Sequence, residues 1–366
     1  MRISPRVAAM PHYEPGLSTA EVLARFGLTR AVKLASNESP FPPMPEVVRA
    51  ITADIGGLNR YPNGPAGALR EALAERHGVE RSQVCIGNGS CELLLLAGQA
   101  LLDPGTSVMY AEPSFSLYPH LAVAAGARAV AVPLADDGGH DLDMMAAQVD
   151  ETTRLVIVCN PNNPTGVYRS ADELEAFLDQ LPEDLPVLID EAYNDFVSAV
   201  DRGRMLSAAR RRPNLLITRT FSKAHGLCGL RVGYAIGGPE WIAALDAVRQ
   251  PFNTNALAQA GALESFRRQG ELERRLTATI AARGDLVSEL EGEGWTVLPS
   301  EANFVLATPP AALGEGSAVH RRLLSRGVIV RDGAPLGCPG QLRISIGTPE
   351  EHAVFAEVRA SLTTEG

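Results

Sequence analysis

The chain has 366 residues, of which 45% are hydrophobic and 21% are charged, and its formal net charge is −10 at pH 7. This length predicts two or three structural units around a large buried core, and the acidic balance argues against a nucleic-acid partner. No apolar run reaches the roughly 18 residues that span a membrane, no signal peptide is apparent, and the five scattered cysteines indicate free thiols in the cytoplasm rather than disulfides or a zinc site.

The first two thirds of the chain predict an arm followed by a large α/β domain. Residues 1–45 are rich in proline and serine and predict an extended N-terminal arm with one short helix over residues 19–26. From 46 to 252, apolar strands alternate with amphipathic helices, which predicts a mostly parallel sheet with helices on both faces. The predicted strands are 84–86, 108–110, 129–133, 155–159, 187–190, 215–218 and 232–236, and the predicted helices include 67–77, 91–102, 142–149, 171–181 and 239–249.

The pattern changes after Pro251. A long helical stretch over residues 255–291, interrupted near 269–270, precedes short strands at 295–297, 303–306, 328–330 and 342–346 and a last helix over 349–362. Residues 253–366 therefore predict a smaller α+β domain at the C-terminus.

The segment from Thr220 to Tyr234 is the most informative part of the sequence. Lys223 follows a short apolar strand, and burial and neighbours readily tune such an amine for Schiff-base chemistry. The hydroxyls of Thr220 and Ser222, with Arg231 eight residues after the lysine, suit a phosphate monoester. A lysine imine beside a phosphate site indicates pyridoxal 5′-phosphate. The alternative is a strand end followed by a glycine-rich loop with a solvated lysine.

A second candidate phosphate contact lies in the glycine turn over residues 87–92, between a short strand and a helix. Gly89 lets the backbone approach a ligand closely, and the helix that begins near Ser90 and Cys91 favours an anion at its N-terminus. The turn lacks the third glycine of the dinucleotide fingerprint, so an NAD site is not supported. An ordinary turn with Ser90 as helix N-cap is an equally good interpretation.

Four further side chains lie at or just after the carboxyl ends of predicted strands, where open α/β sheets bind ligands. Asn163, in a proline-pinned turn, would present an amide there. Asp190 could pair with a protonated pyridine nitrogen, and Tyr193 could donate to the phenolate oxygen of the same ring. Phe115 could stack on the ring. The alternatives are an ordinary turn, an N-cap aspartate and a core phenylalanine.

In this fixed order, the motifs resemble those of the fold-type I pyridoxal-phosphate enzymes, the aspartate aminotransferase superfamily, over essentially the whole chain. Within the superfamily the chain is most similar to the histidinol-phosphate aminotransferases, on the segments 12–16, 33–40, 59–62, 220–231 and 342–348. Bacterial aromatic amino acid aminotransferases and threonine-phosphate decarboxylases share much of this pattern.

The resemblance implies a role for each matching residue. Lys223 would carry pyridoxal 5′-phosphate as a Schiff base and move protons, with Asp190 and Tyr193 as the other catalytic residues. The implied cofactor contacts are Gly89, Ser90, Cys91, Phe115, Asn163, Asp190, Tyr193, Thr220, Ser222, Lys223, Arg231 and, from the neighbouring subunit, Tyr61. The implied substrate contacts are Tyr13, Asn37, Arg331 and Arg343.

The implied protein is a cytoplasmic homodimer with shared active sites and a large pyridoxal-phosphate-binding domain. Its implied reaction belongs to histidine biosynthesis and converts L-histidinol phosphate and 2-oxoglutarate to imidazole acetol phosphate and L-glutamate. The alternatives are phenylalanine or tyrosine transamination and, third, threonine-phosphate decarboxylation. The chain departs from the family pattern at Cys91, which bears on the phosphate site, and at Phe115, where stacking is retained. It also departs at Ser39, Phe41, Pro42, His225 and Cys228, and the last four of these bear on the substrate range.

Overall fold

A computed structural model describes residues 1–3, 5–8, 10 and 16–363. The helices are α1 (Pro5–Ala8), α2 (Thr19–Phe26), α3 (Pro45–Asp54), α4 (Gly67–His77), α5 (Ser90–Leu101), α6 (Tyr118–Ala125), α7 (Leu142–Ala147), α8 (Ala171–Asp179), α9 (Arg204–Ala209), α10 (Pro239–Val248), α11 (Ala256–Arg267), α12 (Gln269–Gly292), α13 (Gly316–Ser325) and α14 (Pro349–Thr363). None of the helices within these residues is both long and apolar enough to cross a membrane.

The strands form three sheets. They are β1 (Val32–Lys33), β2 (Val84–Gly87), β3 (Ser107–Glu112), β4 (Arg128–Pro133), β5 (Thr153–Cys159), β6 (Val187–Asp190), β7 (Leu215–Thr220), β8 (Gly233–Gly237), β9 (Thr296–Val297), β10 (Phe304–Thr308), β11 (Val328–Ile329), β12 (Arg331–Asp332) and β13 (Leu342–Ser345). The largest sheet has seven strands in the order β2-β8-β7-β6-β5-β3-β4. Strand β8 is antiparallel to both of its neighbours, and the other pairs are parallel. The predicted α/β fold with a mostly parallel sheet is confirmed.

Both faces of the large sheet are buried, as expected for parallel strands. Along β5, Leu155 and Ile157 pack into one apolar cluster, whereas Val156 and Val158 pack into another on the opposite face. Helices α5, α6 and α10 contribute to the first cluster, and α7, α8 and α9 contribute to the second. These four side chains of β5 are fully buried, so this part of the strand is a continuous apolar run and does not alternate between apolar and polar residues.

The C-terminal third forms a four-stranded antiparallel sheet in the order β12-β13-β10-β9, packed against α12, α13 and α14. Strand β1, from the N-terminal segment, pairs with β11 in a separate two-stranded parallel sheet. The N-terminal segment therefore crosses to the C-terminal unit before it enters the large sheet. The division of the chain at residues 45 and 252 stays a prediction.

Five helices, α1, α3, α6, α9 and α13, were not among the predicted elements. Helix α6 carries Pro119 in its first turn, where the missing N–H costs no hydrogen bond, although the residue suggests a loop in the sequence. Helix α13 begins with Gly316 and Ser317, which are weak helix formers. The predicted interruption of the long helical stretch is present, because α11 ends at Arg267 and α12 begins at Gln269.

Candidate active site

Two adjoining cavities lie at the edge of the large sheet where β5, β6 and β7 have their carboxyl ends. The first, of about 140 Å³, is called the cradle cavity and is lined by Ser90, Cys91, Phe115, Cys159, Asn163, Asp190, Ala192, Tyr193, Thr220, Ser222, Lys223, Cys228 and Arg231. The second, of about 150 Å³, is called the arginine cavity and is lined by Gly16, Ala35, Ser36, Asn37, Ser114, Phe115, Ser116, Asn163, Pro164, Tyr193, Lys223, Arg331, Leu336 and Arg343. Four residues line both, and Lys223 is one of them.

One wall of the cradle cavity is built for an anion. Gly89 has φ 81°, and a Cβ atom added to it would lie 2.6 Å from Nη2 of Arg231. The glycine therefore allows the guanidinium to reach the N-terminus of α5, where unpaired backbone N–H groups also favour negative charge. Nη1 of Arg231 donates to Oγ of Ser222 at 3.2 Å. The N-cap of α5 is Gly89, so the interpretation of Ser90 as N-cap is wrong.

Asp190 provides a buried carboxylate in the lining of the cradle cavity. Its Oδ2 accepts from the hydroxyl of Tyr118 at 3.0 Å, and its Oδ1 accepts from Oγ1 of Thr218 at 3.2 Å. Burial raises the pKa of Asp190 to about 6, against the opposing effect of these two hydrogen bonds. Asp190 is the last residue of β6 and does not cap a helix, so its side chain is available to the cavity.

Lys223 lies between the two cavities and is half-buried. Its Nζ donates to the carbonyl oxygens of Asn37 at 3.1 Å and Ser36 at 3.4 Å. Burial, followed by the positive charge of Arg343, lowers the pKa of Lys223 to about 8. A lysine of this kind keeps a substantial uncharged fraction near neutral pH, so it can act as a base or a nucleophile.

Tyr193 belongs to a buried polar chain. Its hydroxyl accepts from Nδ2 of Asn37 at 3.1 Å, and Oδ1 of Asn37 accepts from Oγ of Ser345 at 3.0 Å. Burial raises the pKa of Tyr193, so the phenol stays protonated at neutral pH and keeps its hydrogen. The chain connects β13 to the shared wall of the two cavities.

The arginine cavity contains two guanidinium groups on neighbouring strands. Arg331 on β12 is the register partner of Arg343 on β13. Arg343 is buried and donates from Nη1 to Oδ1 of Asn163 at 2.6 Å and from Nη2 to the carbonyl oxygen of Ala35 at 2.9 Å. The Asn163 oxygen is thereby occupied, and its amide nitrogen remains the donor. The cavity consequently favours a ligand with a strongly anionic end.

The departures from the family pattern fall into two groups. Cys91 and Cys228 line the cradle cavity, and burial raises the pKa of the Cys91 thiol. Phe115 lines both cavities, and its ring meets that of Tyr118 edge-on at 5.7 Å. His225 is different, because it is buried away from the described lining of either cavity and pairs with Oγ of Ser265 at 2.8 Å. We therefore assign His225 to packing.

The predicted site residues Gly89 and Tyr61 are not among the described lining of either cavity. Tyr61 is 82% exposed and stacks on Phe252, with ring centroids 4.6 Å apart. Tyr13 lies outside the described residues.

Three residues that act on the site were missed at the sequence level: Tyr118, Thr218 and Ser345. A periodic signal existed for two of them. Thr218 lies two residues before Thr220 on β7, and Ser345 lies two residues after Arg343 on β13, so each shares a strand face with a predicted site residue. The sequence gives a weaker indication for Tyr118, which is only that it lies three residues after the predicted site residue Phe115.

Comparison with known proteins defines the class. The family model of aminotransferase class I and II matches residues 29–358, and the chain belongs to this family. The chain is 46% identical over 350 residues to histidinol-phosphate aminotransferase 2 of Ralstonia nicotianae, covering 95% of this chain and 93% of the relative. It is 41% identical over 352 residues to the histidinol-phosphate aminotransferase of Geobacillus thermodenitrificans, covering 96% and 95% of the two chains.

A solved structure agrees over the same length. The histidinol-phosphate aminotransferase of Sinorhizobium meliloti, solved in complex with pyridoxal-5′-phosphate, superimposes with a TM-score of 0.90 at 28% identity and covers 100% of this chain and 98% of its own. The match spans both the large sheet and the C-terminal sheet, so the two units have the relative arrangement of an aminotransferase.

Proposed function

We propose that this protein is a pyridoxal-phosphate-dependent transaminase that converts L-histidinol phosphate and 2-oxoglutarate to imidazole acetol phosphate and L-glutamate, a step of histidine biosynthesis. The observation that carries the proposal is the position of the Lys223 amine, which lines both the cradle cavity and the arginine cavity. The relatives named histidinol-phosphate aminotransferase support the choice of substrate.

The residues of the cradle cavity fit pyridoxal 5′-phosphate. The close approach of Arg231 to Gly89 suits a phosphate dianion, and the contacts we assign to it are Gly89, Ser90, Cys91, Thr220, Ser222 and Arg231. Both oxygens of the buried Asp190 carboxylate accept from neutral hydroxyls, so a cationic ring nitrogen would supply the missing charge. When bound, the cofactor supplies a conjugated ring that accepts the electron pair left at the α carbon of the substrate.

Asp190 would keep the ring nitrogen of the cofactor protonated. Its pKa is raised to about 6 by burial, and a positive charge beside it would favour the ionised carboxylate. Asn163 and Tyr193 would bind the ring oxygen with their amide N–H and hydroxyl hydrogens, and Phe115 would pack on the ring.

Lys223 would hold the cofactor, and its free amine is the base that we assign to the proton at the α carbon of the substrate. Burial and the positive charge of Arg343 lower the pKa of that amine to about 8. The carbonyls of Ser36 and Asn37 hold the amine beside the arginine cavity. The same amine would also return the proton, so one residue would serve both half-reactions.

Arg331 and Arg343 bind the anionic end of the substrate, with Tyr13 and Asn37 as further contacts. A doubly charged phosphate gains more from two guanidinium groups than a single carboxylate does, because each charged hydrogen bond contributes about 1.5–3 kcal/mol. The same pair must also accept a carboxylate of glutamate in the second half-reaction. Because the two arginines must bind a phosphate in one half-reaction and a carboxylate in the other, they favour a phosphorylated amino alcohol as one substrate and a dicarboxylate as the other.

The proposed assembly is a homodimer in which Tyr61 reaches the phosphate site of the partner subunit. Tyr61 stacks on Phe252, and both side chains are exposed. Mixing an inactive Lys223→Ala chain with an inactive Tyr61→Ala chain should restore activity, because the heterodimer contains one site without either change. An active monomer in light scattering would contradict the shared site.

A cytoplasmic location completes the proposal, because all five cysteines are free thiols and three of them are buried. Thiols in this state suit a reducing compartment.

The test is a substrate panel with purified protein and 2-oxoglutarate. Histidinol phosphate should give a higher kcat/KM than phenylalanine, tyrosine or aspartate. Borohydride reduction should fix the cofactor to the peptide that contains Lys223, and Lys223→Ala should abolish turnover. A preference for phenylalanine or tyrosine would favour aromatic transamination, and carbon dioxide release without glutamate formation would favour a decarboxylase. Attachment to another lysine would overturn the site assignment.

A further inference from the structure

We propose that Ser345 and Asn37 form a directional hydrogen-bond relay that keeps the hydroxyl of Tyr193 a donor toward the shared wall of the two cavities. Ser345 is thereby a positioning residue for the reaction, although it lines neither cavity among the described residues. The inference rests on the proposed function, because it concerns how Tyr193 is presented to the cofactor.

The relay consists of three short contacts between buried groups. The backbone N–H of Asn37 donates to Oγ of Ser345 at 2.8 Å, and the same Oγ donates to Oδ1 of Asn37 at 3.0 Å. Nδ2 of Asn37 donates to the Tyr193 hydroxyl at 3.1 Å. All three residues are at most 5% exposed, so water does not compete for these bonds.

The direction of the relay follows from what each group can do. A backbone N–H is only a donor, so Oγ of Ser345 must accept from it and can use its own hydrogen elsewhere. That hydrogen goes to the amide oxygen of Asn37, which turns the amide nitrogen toward Tyr193. The Tyr193 oxygen accepts from that nitrogen, and its own hydrogen is left for the cavity. Loss of the Ser345 hydroxyl removes the group that fixes this order.

The backbone of Asn37 holds the relay in place. Asn37 has φ 52°, a left-handed conformation that asparagine tolerates better than most residues. Its carbonyl accepts from Nζ of Lys223 at 3.1 Å and from Nδ2 of Asn303 at 3.1 Å. The backbone N–H of Ser345 donates to the carbonyl of Leu34 at 2.9 Å. The backbone of Asn37 is therefore fixed, and its side-chain amide can rotate only by breaking its bonds to Ser345 and Tyr193.

Charged groups surround Tyr193, so the direction in which its hydroxyl hydrogen points affects the electrostatics of the site. Arg343 and Asp190 act on the phenol through space, and Nζ of Lys223 lies 5.7 Å from the centre of its ring. Left unfixed, the hydroxyl could turn its hydrogen toward a competing acceptor. A phenol that donates to the ring oxygen of the cofactor stabilises the negative charge there, which lowers the pH at which the lysine-bound cofactor gives up its proton.

The test measures the pH midpoint of the visible absorption change of the lysine-bound cofactor in the holoenzyme. Ser345→Ala should raise the midpoint by about half to one pH unit, the shift produced by losing one hydrogen bond. Ser345→Thr keeps the hydroxyl and should leave it unchanged. Tyr193→Phe should give a larger rise, and the double variant Ser345→Ala/Tyr193→Phe should show no further rise, because Ser345 acts through Tyr193.

The outcomes separate the relay from the proposed function. A midpoint unmoved in Ser345→Ala would overturn the relay, as would shifts that add in the double variant. If the wild-type protein binds no cofactor at Lys223, no absorption change exists to titrate, and the proposed function itself has failed. Thermal unfolding of the two Ser345 variants identifies any loss of stability, and a shift that Ser345→Thr shares with Ser345→Ala would indicate packing and overturn the relay.

Discussion

Gly89→Ala should disturb the contact between the N-terminus of α5 and Arg231. Gly89 adopts φ 81° and ψ 165°, a region that is essentially restricted to glycine. A Cβ atom there would lie 2.6 Å from Nη2 of Arg231 and 3.3 Å from its Cζ. The guanidinium would have to move away from the N-terminus of α5, and the backbone would adopt a strained conformation.

The two effects have separate magnitudes. The unfavourable backbone conformation should lower the free energy of unfolding of the apoprotein by about 1–3 kcal/mol. Displacement of Arg231 should remove one charged hydrogen bond to the phosphate, worth about 1.5–3 kcal/mol. That loss weakens cofactor binding by about 10- to 150-fold.

The assay is titration of the apoprotein with pyridoxal 5′-phosphate, followed by absorbance, together with denaturant unfolding. Gly229→Ala is the matched control, because Gly229 lies in the loop before Arg231 and a Cβ there would meet nothing within 4 Å. The control should bind the cofactor like the wild type. Equal affinity of Gly89→Ala and Gly229→Ala for the cofactor would refute the argument that Gly89 is needed for the approach of Arg231.

Three further results are expected. Asp190→Asn should retain the cofactor but reduce kcat by at least about a hundredfold, because the charge that holds the ring proton is lost; near wild-type turnover would show that another group pairs with the nitrogen. Arg343→Ala should impair both half-reactions, whereas Arg331→Ala should reduce kcat/KM for histidinol phosphate more than for glutamate; equal losses would assign Arg331 no phosphate preference. Burial lowers the pKa of His225 to about 4, so between about pH 6.5 and 4 this histidine binds a proton in the unfolded state but not in the folded state. The free energy of unfolding should therefore fall by about 3 kcal/mol as the pH is lowered across that range. His225→Gln should make that slope shallower by one proton, and an unchanged slope in denaturant unfolding would contradict this.

The residues at strand ends could be located from the sequence. Asp190 ends a strand that is otherwise an apolar run, Asn163 follows a strand with an apolar run at its end, and Thr220 ends a strand that begins with three apolar residues. Parallel neighbours have their carboxyl ends at one edge, so recognition of three strands was enough to bring three side chains together. The prediction needed no knowledge of the loops, which explains why the cradle cavity was better predicted than its surroundings.

The supporting contacts could not be predicted in the same way. Tyr118 lies 72 positions from Asp190, and Ser345 lies 308 positions from Asn37. A local sequence pattern cannot predict a hydrogen bond between residues so far apart in the chain. The pairing of β1 with β11 was missed for the same reason, because these strands are also far apart in sequence. His225 illustrates the opposite error, because its proximity to Lys223 in the sequence suggested an effect on substrate range, whereas its ring packs against Phe221 at 4.5 Å.

The wall shared by the two cavities limits how this scaffold can change its substrate. Phe115, Asn163, Tyr193 and Lys223 face both spaces, so a substitution at any of them alters retention of the prosthetic group together with substrate preference. Ser36, Ser114, Ser116 and Leu336 are among the residues that border the arginine cavity only. Natural variation and directed libraries can therefore reach new amine donors mainly through positions of this kind, where selection acts on substrate recognition without a penalty in holoenzyme formation.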